Sequence, residues 1–314
     1  MRAAAIFGPG SSLRDLLPFQ HDPGITWLDA LPKSADDADV ILILGGDGTI
    51  HRHLSQLVAL GRPVLVVPSG SGNDFARSLG LRTVHDSLAA WREFVAVRSN
   101  ARNVDLGVIT ALENPDSPAT RFFCCVAGIG LDAEAARRAN AMPRWLRGHG
   151  GYALALAPAV FQFAPVQTRI QTFNSAGHTW NTRSHQPALL AAFANTPFYG
   201  GGMKIAPRAQ MNDGLLDGCV ITSINLFKLL CLFPTVYFGQ HLDIREVDYF
   251  RAVAVRLQPE TPLDVYADGE FVCRTPVEIA IERAALPVIV GTKQNAAPAG
   301  CDRDKNSLTT KDTK

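Results

Sequence analysis

Val40-Ile-Leu-Ile-Leu-Gly-Gly-Asp-Gly-Thr-Ile-His-Arg-His-Leu54 is the stretch that decides the N-terminal fold. Its five leading apolar residues show no alternation, which predicts a strand buried on both faces, as in a parallel sheet. The glycines predict a tight turn, and Ile50–Leu60 has the spacing of a helix. Two further segments repeat the pattern. Ala3–Phe7 runs into Gly8-Pro9, and Val64–Val67 runs into Pro68-Ser-Gly-Ser-Gly72 ahead of a helix predicted over Asp74–Leu79. Strand, Gly-rich loop and helix in repetition predict an open α/β sheet, whose ligands bind at the loops beyond the strand C-termini.

The whole chain has 314 residues, 47% of them hydrophobic and 19% charged, with a formal net charge of +1. That length suggests two domains, and the composition excludes a disordered or fibrous chain. A near-neutral balance supplies no field for wrapping nucleic acid. The apolar run in Met1–Gly10 is too short for a signal peptide, and no stretch reaches the roughly 18 uninterrupted apolar residues of a membrane span. A cytoplasmic protein is expected. Cys124, Cys125, Cys219, Cys231, Cys273 and Cys301 form no C-x-x-C pair, so a zinc site is not expected and most read as small buried hydrophobes.

The character changes near Val126. Leu131–Ala141 and Tyr152–Phe163 have helical patterns, with Gly148–Gly151 between them. Short segments then follow at Thr168–Phe173, Ala188–Ala194, Leu215–Ile221, Ala252–Leu257, Leu263–Ala267 and Val277–Ile281. They predict an antiparallel β-domain, a sandwich. The fold class is therefore α/β plus β, with residues 1–125 as the first domain and 126–283 as the second. Lys293–Lys314 is polar and lacks apolar periodicity, which predicts a disordered tail. Ile224–Gly239 is the most apolar helical stretch; it either packs on the β-domain or meets lipid.

Four motifs carry chemistry. In Gly45-Gly46-Asp47-Gly48-Thr49 the glycines let the backbone approach a phosphate, with a helix N-terminus behind them. In the second loop Ser71 and Asn73 are small polar groups able to reach a nucleotide, and Asn73 or Asp74 suits an N-cap. Neither loop matches a Walker sequence or G-x-G-x-x-G. Asp213 and Asp217 flank Gly214, an arrangement suited to a hard cation and equally to an Asx-stabilised β-turn. Tyr266-Ala-Asp-Gly-Glu270 reads as a strand ending in an Asp-Gly hairpin.

In this order and spacing, GGDGT, PSGSGNDFAR (Pro68–Arg77), YGGGMKIAPRAQMNDGLLD (Tyr199–Asp217) and DGE (Asp268–Glu270) resemble the diacylglycerol kinase catalytic family, in its bacterial lipid kinase branch, related to sphingosine and ceramide kinases. The resemblance covers roughly residues 2–291. It implies an N-terminal nucleotide domain like those of NAD kinases and phosphofructokinases, a C-terminal β-sandwich, and an active site in the cleft between them. It also implies that a last strand, within 284–292, returns to the first domain. ATP phosphates would lie on Gly46–Thr49 and Ser71, and Mg²⁺ near Asp213 with backbone oxygens of Gln210 and Leu215. Glu270, in the hairpin it shares with Asp268, would accept the proton of a lipid hydroxyl at the membrane face. Whether the chain acts as a monomer or a homodimer is left open.

The sequence departs from that family at two places. Its usual Asn-Glu after GGDGT is replaced by His51-Arg52, and the first loop is Gly8-Pro-Gly-Ser-Ser12 without the usual Asn. Two other readings follow from these features: an NAD-kinase-like phosphotransferase, and a nucleotide- or lipid-binding pseudokinase.

Overall fold

The computed structural model describes residues 1–28, 31–113, 120–142 and 164–291. The predicted helix at Tyr152–Phe163 and the predicted tail at 293–314 lie outside them. The N-terminal region holds β1 (Arg2–Phe7), α1 (Leu13–Leu16), β2 (Thr26–Trp27), β3 (Val40–Gly45), α2 (Asp47–Leu60), β4 (Val64–Pro68), α3 (Asp74–Ser78) and α4 (Val84–Val97). The four strands are parallel in the order β2-β1-β3-β4. Every residue of β3 and β4 is buried, as their unbroken apolar runs predict. Ile50, Leu54 and Leu57 form the buried stripe of α2. The helix ends at Gly61 (φ +57°), whose N–H returns to the Leu57 and Val58 carbonyls. The next helix, α4, starts with a capping box in which Thr83 and Asp86 serve each other's amides.

The rest is antiparallel: β5 (Ala101–Ala111), β6 (Thr120–Phe123), β7 (Val126–Gly130), α5 (Leu131–Ala141), β8 (Val166–Asn174), β9 (Thr179–Ala194) and β10 (Leu216–Thr222), then α6 (Leu226–Phe238), β11 (Val247–Ala252), β12 (Ala254–Pro259), β13 (Asp264–Ala267), β14 (Glu270–Arg274) and β15 (Val277–Ile289). Antiparallel pairing begins with β5, which runs along β15 and β6. These strands enclose a second core that includes Ile129, Phe193, Val220, Val255, Leu257 and Ile279. The expected α/β plus β class is the observed one.

One strand joins the two regions. The first part of β15 lies between β5 and β12, and beyond a register shift Val288 pairs in parallel with Val64 of β4. The shift is pinned by the buried Asp105, whose carboxylate accepts from Ala284 N and Gly214 N, both at 2.8 Å. Ala284 takes a left-handed conformation there (φ +51°). The main chain of Asp105 also binds Met211 O and the Asn195 side chain. Asp105→Ala strands the buried Gly214 N–H, worth about 1–3 kcal/mol, and frees the part-buried Ala284 N–H at a smaller cost. Urea unfolding should show a loss of about 2–4 kcal/mol; a loss below about 1 kcal/mol would mean that water serves those amides equally well.

Candidate active site

The C-terminal ends of β1, β3 and β4 lie side by side, so their three loops meet. The Ser11 hydroxyl donates to Leu44 O at 2.7 Å and lies 2.7 Å from the Ser69 hydroxyl. Gly46 and Gly70 touch backbone to backbone: a Cβ on Gly46 would stand 2.7 Å from the Cα of Gly70. Asn73, in a left-handed conformation (φ +54°), clamps the second loop, accepting from Gly70 N (2.9 Å) and donating to Gly70 O (2.7 Å).

The two acids in these loops bind main chain. Asp47 accepts from Asp74 N and Phe75 N, each at 3.0 Å, so the first loop caps the short helix of the second. Burial, with the neighbouring Asp74 charge, pushes the Asp47 pKa up to about 7. Asp74 accepts from Gly201 N at 2.8 Å and pairs with Arg77. Burial raises its pKa too, against the pull of Gly201 and Arg77. Thr49 packs beneath the loop, its Cβ 2.7 Å from where a Gly45 side chain would begin. Gly45, Gly46, Gly48 and the exposed Ser71 line the opening itself, at the positive end of α2.

Asp268 and Gly269 both have positive φ (+50° and +85°), the two-residue hairpin that the Asp-Gly dipeptide predicts. The Asp268 side chain is fully buried. It accepts from Cys124 N and Cys125 N at 2.8 Å and Val126 N at 3.3 Å, and meets His51 Nδ1 at 3.2 Å. Burial alone would raise its pKa, but the hydrogen bond and charge of His51, together with the amides, hold it below the usual carboxylate value. Across the turn, Glu270 reaches the start of α2, where a Cβ on Gly48 would stand 2.9 Å from its Oε1. Asn140 of α5 steadies the hairpin by donating to Gly269 O at 2.6 Å.

Loops and hairpin enclose a cleft of about 450 Å³, lined on its far side by Asp132, Asn140, Tyr199 and Tyr266. Arg52 is the one cation among its lining residues, and it is exposed. Gln210, Asp213 and Leu215 do not line this cleft. They lie in the turn held by Asp105, with Asp213 accepting from Leu215 N (3.0 Å) and facing Arg251 (3.4 Å). One carboxylate with main-chain carbonyls is still a donor set that suits a hard divalent cation. Cys124, Cys125 and Asp268 also converge, and burial raises both thiols, Cys125 to about 12, so they stand protonated beside the Asp268 carboxylate.

The chain matches the diacylglycerol kinase catalytic domain over residues 26–109 and the YegS C-terminal NAD kinase beta sandwich-like domain over residues 125–290. It is 36% identical to a diacylglycerol kinase of Mycobacterium tuberculosis, covering 81% of this chain and 78% of the relative. The chain belongs to the diacylglycerol kinase family. It is a kinase of the bacterial lipid kinase branch. A Bacillus subtilis diacylglycerol kinase is 26% identical, covering 74% of this chain and 71% of the relative. In fold the kinase is similar to a Bacillus anthracis diacylglycerol kinase (TM-score 0.64, 17% identity, 93% of this chain and 97% of the other). It is also similar to yeast NADH kinase complexed with NADH (TM-score 0.52, 12% identity, 94% and 85%).

Sequence reading missed the Cys124–Val126 amides, Asn140, Asp132 and Ser11, which come from separate segments with no shared spacing. Asp47 gives a test of the loop geometry. Its pKa is about 7 folded against 3.8 unfolded, so its contribution to stability is full below about pH 4 and is lost as pH rises through 7. The stability of wild type relative to Asp47→Asn should fall over that range and level off above it, in thermal melts at each pH. A difference that grows with pH would mean an ionised Asp47.

Proposed function

We propose that this kinase transfers the γ-phosphate of Mg·ATP to the hydroxyl of a diacylglycerol-like membrane lipid, with Glu270 accepting the hydroxyl proton. The observation that carries this reading is the approach of Glu270 to Gly48: a carboxylate stands beside the helix N-terminus on which a polyphosphate would rest. Phosphoryl transfer needs in-line placement and charge neutralisation more than covalent chemistry. The backbone of Gly45, Gly46 and Gly48 and the Ser71 hydroxyl would hold the phosphates, while Asp47, Asn73 and Asp74 hold the loops that present them. Arg52 would add the positive charge. Glu270 then takes the proton as the alcohol oxygen attacks.

Mg²⁺ held by Asp213 with the carbonyls of Gln210 and Leu215 would supply fixed positive charge at that turn. In this reading residues 1–125, with 284–292, bind the nucleotide, and 126–283 receive the lipid. No helix among the described residues is long and apolar enough to cross a membrane. The kinase would reach its substrate from the cytoplasmic side, as a peripheral protein; α6, with Phe238 exposed at its end, is the candidate contact.

Transfer of labelled γ-phosphate in mixed micelles containing diacylglycerol, with NAD as the competing acceptor, tests the reading. Glu270→Gln is expected to lower kcat by about 10²–10⁴-fold with the KM for ATP little changed. Arg52→Ala is expected to raise that KM by about tenfold, the worth of one charged hydrogen bond. Phosphorylated NAD without phospholipid, or ATP binding without any product, would overturn it.

A further inference from the structure

His51 and Arg52 are adjacent on α2 but serve different surroundings, because one residue turns a helix by about 100°. Arg52 lines the cleft; His51 does not. Its side chain is 12% exposed, and Nδ1 lies 3.2 Å from the Asp268 carboxylate. The other donors to that carboxylate are the Cys124 thiol and the amides of Cys124 and Cys125, which join β6 to β7, and of Val126, which begins β7. Among the described residues, His51 makes the one hydrogen bond from α2 to the hairpin that carries Glu270. The distance between the start of α2 and the base therefore depends on this contact.

We propose that His51, as an imidazolium, is a positioning residue that grips Asp268 and so sets Glu270 against the phosphate-binding end of α2. The inference rests on the lipid kinase reading. The groups facing the imidazole are Asp268 and Glu270 of the hairpin and Arg121 of β6. Burial and Arg121 oppose its charge; Asp268 and Glu270 favour it and prevail, so the His51 pKa lies above its ordinary value. A neutral ring still donates through Nδ1 in one tautomer, but without the charge that draws the buried carboxylate to it. As pH rises past the His51 pKa the grip loosens, and kcat falls. Nucleotide binding does not depend on His51, because Asp47, Asn73 and Asp74 hold the loops without it.

The experiment is steady-state kinetics from pH 6 to 9 on wild type, His51→Asn and His51→Ala, with lipid and ATP varied separately. Asparagine keeps a donor and cannot titrate. Wild-type kcat should fall several-fold on the alkaline side, and His51→Asn should lack that fall. His51→Ala should lose about tenfold in kcat at neutral pH, with the KM for ATP within about twofold. An alkaline fall retained in His51→Asn, or a wild-type kcat in His51→Ala, overturns the proposal. Wild-type turnover separates the two readings: no phospholipid from wild type means that the acceptor is wrong. An NMR titration of the wild-type His51 ring then decides the grip without activity. A midpoint above 6.5 supports it; one at or below 6.5 overturns it.

Discussion

A buried carboxylate accepting main-chain N–H groups is the interaction on which this structure depends. Asp47 reaches across 27 residues of sequence to the start of α3, Asp74 across 127 to Gly201, and Asp268 across 144 to Cys124. Asp105 joins Gly214 to Ala284. The segments they hold are turns and strand ends with few ladder bonds of their own. A hydrogen bond to a charged acceptor such as Asp268 is worth about 1.5–3 kcal/mol and one to a neutral acceptor about 0.5–1.5 kcal/mol, and two or three together keep such a segment in one place. Phosphate chemistry needs that rigidity, because misplacing a reacting group by about 1 Å can cost 100-fold in rate.

The parallel sheet was legible because its strands are buried on both faces: Val40–Leu44 and Val64–Val67 are unbroken apolar runs too short for helices and stopped by Gly45-Gly46 and Pro68-Ser-Gly70. The Asp268-Gly269 hairpin was legible for a similar reason, since few dipeptides accept two positive φ values in succession. What the side chains of the loops do was not. An acid inside a phosphate loop reads as one that orders the loop or faces a metal ion; Asp47 does the first, but that it does so through the amides of the second loop could not be read. Asp105 gave no signal, because an acid in Asn103-Val-Asp-Leu106 looks like any polar position in a strand. Its partners, Gly214 and Ala284, are ordinary residues brought near by topology. Strand β11 and helix α4 were not read, although Gly80 and the capping pair Thr83 and Asp86 mark the start of α4.

His51 and Arg52 show the same limit at closer range. As a pair they read only as a departure from the family's Asn-Glu. Helical geometry sends one to Asp268 and the other to the cleft, so the replacement does two separate things. The imidazole becomes a link between α2 and the hairpin, and the guanidinium becomes the cleft's one cation among the described residues. Neither role can be assigned without knowing which face of α2 meets which strand.

A cleft built from carboxylates is a poor host for a polyphosphate unless their charge is dealt with. Each staple here has its own solution. Asp47 keeps its proton to about pH 7 through burial. Asp74 sits on Arg77, and Asp268 on His51. Glu270 has no ion pair among the described residues and faces the helix N-terminus. In the proposed reaction it is the acid left to accept a proton, since Asp47 is protonated and Asp74 and Asp268 are paired. The staples serve position and charge together: by holding main chain with buried, compensated carboxylates, the fold fixes its loops without setting an uncompensated negative charge beside the phosphates.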